Sequence, residues 1–179
     1  MRRLFVILLA SLVVVPAALA AKRAAGDGVL ELKSADGRVV IGKDATPARG
    51  VLWGQMDRGK LIVVDPLPDD GNQVLVSGSE KKALPIYNDS GALVTTYWGT
   101  NLHFRVTGGK YRLVFDGTGI DLTAIGTGVA YLTGDPNAFD AGYYAVDSGK
   151  WVPMPVSLAS VSTKPLAVAF PAPAAPQSP

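Results

Sequence analysis

Residues 102–115, Leu-His-Phe-Arg-Val-Thr-Gly-Gly-Lys-Tyr-Arg-Leu-Val-Phe, carry the clearest structural signal in the chain. Leu102, Phe104 and Val106 alternate with His103, Arg105 and Thr107, and Tyr111, Leu113 and Phe115 alternate likewise. Apolar residues at every second position mark a strand with one buried face. Gly108-Gly109 between the two runs is a two-residue loop of the kind that primed turns require. Pairing Thr107 with Lys110 sets Val106 against Tyr111, Phe104 against Leu113 and Leu102 against Phe115. Every apolar residue then falls on one face, as a correct register demands. The expectation is a β-hairpin.

The same grammar extends along the chain: short apolar runs separated by Gly, Asp, Asn and Pro. On the N-terminal side it predicts strands at Val29–Lys33, Arg38–Ile41, Gly50–Gly54, Lys60–Val64, Gln73–Ser77 and Ala92–Trp98. Beyond the hairpin arms, Leu102–Thr107 and Lys110–Asp116, come Ile120–Ala124, Gly128–Leu132 and Tyr143–Val146. Two Gly-Thr-Gly elements, at 117–119 and 126–128, read as tight turns between short strands. One repeat is visible. Gly28-Val29-Leu30 with Gly37-Arg38-Val39-Val40-Ile41 returns 22 residues later as Gly50-Val51-Leu52 with Gly59-Lys60-Leu61-Ile62-Val63. The expected fold is one all-β antiparallel domain, a sandwich or sandwich-like barrel. A short β-solenoid is the alternative, because a period near 22 suits its coils.

The two ends differ from this middle. Met1-Arg2-Arg3, an apolar run from Leu4 to Pro16 and Ala18-Leu19-Ala20 form the three parts of a secretory signal peptide. Cleavage is expected between Ala20 and Ala21; if it does not occur, the segment is a membrane tether. Residues 21–27 read as a short linker and 28–152 as the β domain. Seven of the 13 prolines fall from Pro153 onward, so 153–179 reads as a Pro/Ala-rich flexible tail, with Leu166–Phe170 as a candidate last strand.

Loss of residues 1–20 leaves 15 basic and 15 acidic side chains. A formally neutral exported protein lacks the basic footprint that nucleic-acid binding needs. The absence of cysteine removes disulfides, thiolate metal sites and thiol nucleophiles. With a single histidine, His103, neither a zinc peptidase site nor a supported catalytic triad can be assembled. No cofactor and no catalytic residue is expected. Asp116 and Asp121, flanking a glycine turn, are the one carboxylate pair that a polysaccharide hydrolase could use. They read first as turn acids. So do the acids of 65–72 and 135–140, which lack the ligand spacing of a known calcium loop.

The hairpin register generates one further expectation. It faces Arg105 with Arg112, and like charges across a strand pair repel. Either a nearby acid, Asp116 or Asp121, offsets them, or paired guanidiniums take an anionic ligand such as an envelope polymer. Trp98 is the candidate stacking aromatic, since alternation sends Tyr97 and Trp98 to opposite faces. The expected function is a non-enzymatic binding or structural module, secreted or envelope-associated, with an anionic polymer or another envelope protein as partner.

Overall fold

The computed structural model describes residues 24–156 and 165–173. The expected signal peptide, its cleavage site and the last residues of the tail lie outside the described residues. Among the described residues there are nine strands: β1 (Gly28–Ile41), β2 (Ala48–Asp65), β3 (Val74–Lys82), β4 (Ile86–Tyr87), β5 (Leu93–Val106), β6 (Lys110–Gly134), β7 (Tyr143–Val146), β8 (Val152–Pro153) and β9 (Leu166–Phe170). They form one antiparallel sheet that is not closed. Its order is β3-β5-β2-β6-β1-β7-β8, with β4 beside β5 and β9 beside β6.

β6 is the spine. Its partner numbers fall as those of β1 and β2 rise: Gly28 and Gly50 both lie opposite Gly126, and Gly37 and Gly59 both lie opposite Gly117. The 22-residue repeat is therefore a pair of strands flanking β6 at matching heights. A solenoid coil would stack the two copies directly, so the solenoid alternative is overturned.

Four of these positions form a continuous row. Gly37 pairs with Gly117, Gly117 with Gly59, and Gly59 with Gly99 of β5. Gly37 and Gly59 have φ of 127° and 150°, which only glycine adopts freely. A Cβ on Gly59 would come within 2.7 Å of the Gly117 Cα. Along this row the sheet creases and folds over. Ala48 and Val64 of β2 lie opposite the consecutive residues Tyr111 and Arg112, whereas on a straight strand they would be about 50 Å apart.

The crease reverses the alternation of every long strand that crosses it. Buried positions run Leu30, Leu32 and then Val39, Ile41 in β1; Leu52, Met56 and then Leu61, Val63 in β2. In β6 they run Tyr111, Leu113, Phe115 and then Ile120, Leu122, Ala124. Each shift is an odd number of residues. An extra residue in a strand does this, and positive φ at Ser34, Asn101 and Gly119 marks such irregularities at the crease. With the alternation reset at the crease, both halves send apolar residues inward to one core. The Phe104 and Phe115 rings meet there at 4.7 Å although β2 separates their strands.

The expected hairpin is corrected. β5 and β6 do not pair: β2 lies between them, with Leu52 opposite both Val106 and Ala124. Gly108-Gly109 instead carries the chain over the start of β2, where the Gly50 N–H donates to the Gly109 carbonyl at 3.1 Å. β2 alternates apolar residues over both of its halves, so it offers both neighbours the inward face that each was expected to find in the other. The folded region also passes the expected boundary at 153. Leu166–Phe170 pairs with β6, and Phe170 is 1% exposed in the core. The Asp147 carboxylate ties the two ends together, accepting from the Val29 N–H at 2.9 Å and the Ala172 N–H at 2.7 Å.

Two stability predictions follow from this packing. A Cβ at Gly117 would fall on the Arg58 carbonyl oxygen, so Gly117→Ala is expected to cost at least about 2 kcal/mol in urea unfolding. Gly91→Ala, where φ is 78° and nothing lies within 4 Å, is expected to cost only about 1 kcal/mol. The second concerns Tyr111, whose hydroxyl is buried without a hydrogen-bond partner among the described residues and whose pKa burial pushes up from 10.0. Tyr111→Phe is expected to stabilise by about 1 kcal/mol at neutral pH. Above pH 10.0 the unfolded phenol ionises while the folded one stays neutral, so the wild type loses stability that the variant keeps.

Candidate functional site

The outer face of one half of the folded sheet forms an open groove of about 580 Å³. Its floor follows from the register. One ladder crosses five strands as Glu31, Thr123, Trp53, Arg105 and Leu75. A second, two residues along, runs through Asp121, Gln55, His103 and Ser77. These are the positions opposite the core residues Leu32, Leu122 and Phe104, so strand alternation aims them outward. Lys33 and Trp151 complete the β1 end of the groove. Trp53 is 40% and Trp151 48% exposed, an unusual exposure for two indoles sharing one groove.

The polar members are held in place. Asp121 accepts from the Ser34 N–H at 2.7 Å and the Gln55 amide at 3.4 Å. The lining carries two acids, Glu31 and Asp121, against two bases, Lys33 and Arg105. Beyond Arg105 the face continues to the β3 edge, where a second depression shares His103 and Arg105 and adds Leu75 and Ser77.

The three expected binding residues are not brought together. Arg105 lies in this groove, opposite Trp53 and Leu75. Arg112 sits past the crease on the other half of the sheet, opposite Val64, with its guanidinium 3.3 Å from the Asp44 carboxylate. The facing arginine pair is therefore overturned by the insertion of β2. Trp98 lies on the crease in a separate groove with Arg58, Lys60, Glu80 and Asp116. There a ladder runs Arg38, Asp116, Lys60, Trp98, Lys81. Asp116 is 3.3 Å from Arg38 and 3.8 Å from Lys60, and the Lys81 ammonium lies 5.2 Å over the Trp98 ring.

The remaining candidates separate as well. Asp116 and Asp121 line different grooves and do not face each other as a two-carboxylate centre. His103 is exposed beside Arg105 on the groove floor, as its alternation predicts. The acidic loops are turns: Asp65, Asp70, Asp135 and Asp140 accept from the N–H groups of Leu67, Asn72, Asn137 and Gly142 at 2.8–2.9 Å. Partial burial, with Asp70 and Asp69 nearby, raises the Asp65 pKa against the lowering effect of its Leu67 bond. Among the described residues no group of three or more His, Asp or Glu is placed to hold a metal ion. The sequence pattern does not bring Trp53 and Trp151 together. Trp53 alternates with Leu52 and Gly54, a signal for an outward indole, but nothing local links it to Trp151, about 100 residues away. The chain matches no family model, no curated protein and no solved structure.

Arg105 and Arg112 lie on opposite halves of the folded sheet and share no partner, so their truncations should be independent. In a double-mutant cycle of Arg105→Ala and Arg112→Ala, the coupling in unfolding free energy is expected to stay within about 0.5 kcal/mol of zero. The hairpin arrangement would instead give relief of repulsion in the single variants and a measurable coupling.

Proposed function

We propose that this protein is an exported, non-enzymatic binding module of the cell envelope or its surroundings. In this reading the doubled sheet is a sandwich-like scaffold whose outer groove holds a polymeric partner. The observation that carries it is the pair of half-exposed indoles, Trp53 and Trp151, in one open groove with fixed hydrogen-bonding side chains. Aromatic side chains supply large contact area with few rotatable bonds, and a rigid sheet keeps the ordering cost of binding small. The signal-like N-terminus supports export, and the open shape of the groove suits an extended ligand that passes through it. The lining gives no reason to retain the anionic partner expected from an arginine pair, because its acids and bases balance.

The test is retention of the purified protein on isolated envelope material, with Trp53→Ala/Trp151→Ala beside Arg112→Ala. Both indoles are partly exposed, so the double variant is expected to fold and to lose at least about tenfold in affinity, a fair sum for two aromatic contacts. Arg112→Ala, outside the groove, is expected to bind like the wild type. Equal retention of all three forms, or of none, would overturn the assignment of function to this face.

A further inference from the structure

The groove's chemistry also points to a class of ligand, an inference that rests on the binding reading above. Its two ladders repeat at the inter-strand spacing of about 4.8 Å, so a chain laid across the strands meets a new side chain at each step. From Glu31 to Arg105 the first ladder crosses three such intervals within the groove, about 14 Å, and a fourth reaches Leu75 in the adjoining depression. That run alternates character: a carboxylate, a hydroxyl, an indole, a guanidinium, an apolar side chain. The second supplies a carboxylate, an amide, an imidazole and a hydroxyl. Together they offer both donors and acceptors, with no excess of either sign of charge.

Each alternative ligand chemistry meets a mismatch here. A polyanion would place its charges against Glu31 and Asp121, and a polycation against Lys33 and Arg105. An apolar peptide or acyl chain would bury all four without partners, which is unfavourable. A chain of hydroxyl groups can donate to the carboxylates and accept from the guanidinium and ammonium, satisfying both kinds. Its C–H faces can lie on the two indoles, whose faces are negative and attract polarised hydrogens. We infer that the groove binds an uncharged polysaccharide, lying across the strands with sugar rings stacked on Trp53 and Trp151 and hydroxyls held by Gln55, Asp121 and Arg105.

The experiment uses the intrinsic tryptophan fluorescence of the whole protein. It is titrated with neutral oligosaccharides of the gluco-, xylo-, manno- and N-acetylglucosamine series, and in parallel with polygalacturonate and dextran sulfate. The expected result is a saturable change with at least one neutral series, insensitive to salt between 50 and 500 mM, on the order of what uncharged contacts show. Affinity should rise with chain length, fall tenfold or more in Trp53→Ala and in Gln55→Ala, and be unchanged in Trp98→Phe. Salt-sensitive binding of the polyanions alone, still lost in Trp53→Ala, would overturn the neutral-glycan assignment while keeping the binding face. Binding of no saccharide, with envelope retention intact and dependent on Trp53, would overturn it in favour of a protein partner. If envelope retention is also missing, the functional reading itself fails.

Discussion

The structure depends on a steric allowance at rows of glycines: Gly37, Gly117, Gly59 and Gly99 stand side by side on four strands, and Gly28, Gly126 and Gly50 form a second row across three. Wherever two strands crease sharply, Cβ atoms on the inner side of the bend collide with the neighbouring backbone. Gly37, Gly117, Gly59 and Gly99 remove those atoms along a single line across the sheet. The mirror-β φ angles of Gly37 and Gly59 then let the chain turn without strain. With side chains there, strands of 14 to 25 residues would have to continue as a long, gently twisted sheet. Such a sheet would expose one apolar face over much of its length. Folding it over at the glycine row lets the sheet cover its own apolar face, and no helix or second sheet is needed.

The crease imposes a condition on the sequence that each strand meets separately. When a sheet turns over, a strand with unbroken alternation keeps the same chemical face toward the inside of the bend. Here each long strand also gains an odd residue at the crease, and this resets which positions point inward where the backbone kinks. The outward faces are reset by the same step. The polar ladders on the two sides of the crease therefore differ: Arg38, Asp116, Lys60, Trp98 and Lys81 on the fold line, and the uncharged-on-balance, indole-bearing floor beyond it. The division between a charged strip and a neutral groove is a consequence of where the glycines fall.

Much of this was legible in the sequence, in pieces. The strand segments were correctly located because alternation is a local signal, and Leu102, Phe104, Val106, Tyr111, Leu113 and Phe115 are all buried as their pattern requires. The same pattern misled on connectivity. A phase reversal at the crease reads as the end of one strand and the start of another, so Lys110–Asp116 and Ile120–Ala124 looked like two strands where β6 is one. Gly108-Gly109 looked like a hairpin turn because turn chemistry reports local backbone freedom and is blind to a third strand passing between the arms. The glycine repeat was visible, yet its meaning lay in Gly117 and Gly126, almost 60 to 100 residues from the copies they join. Alternation puts Arg105 on the right face but gives it the wrong neighbour. Its true neighbours, Trp53 and Leu75, come from strands that no local rule assigns to it.

An open sheet has to deal with its edges before a face can serve as a binding surface, because unpaired strand edges recruit other strands. The two ends of the strand order do so in different ways. β3 carries Glu80, Lys81 and Lys82, and the two ammonium groups lie over the Trp98 and Tyr97 rings of β5 at 5.2 and 5.3 Å. Charge on an edge discourages pairing, and the cation–π contacts hold it there. At the other end β8 is two residues long and includes Pro153, which has no N–H to offer. β9, added beside β6, is bracketed by Pro165 and Pro171. Prolines that compositional reading assigns to a flexible tail thus sit where a strand must be stopped. With both edges discouraged from pairing and the apolar face folded inward, the outward face of the sheet is left as the surface on which this chain can afford exposed indoles.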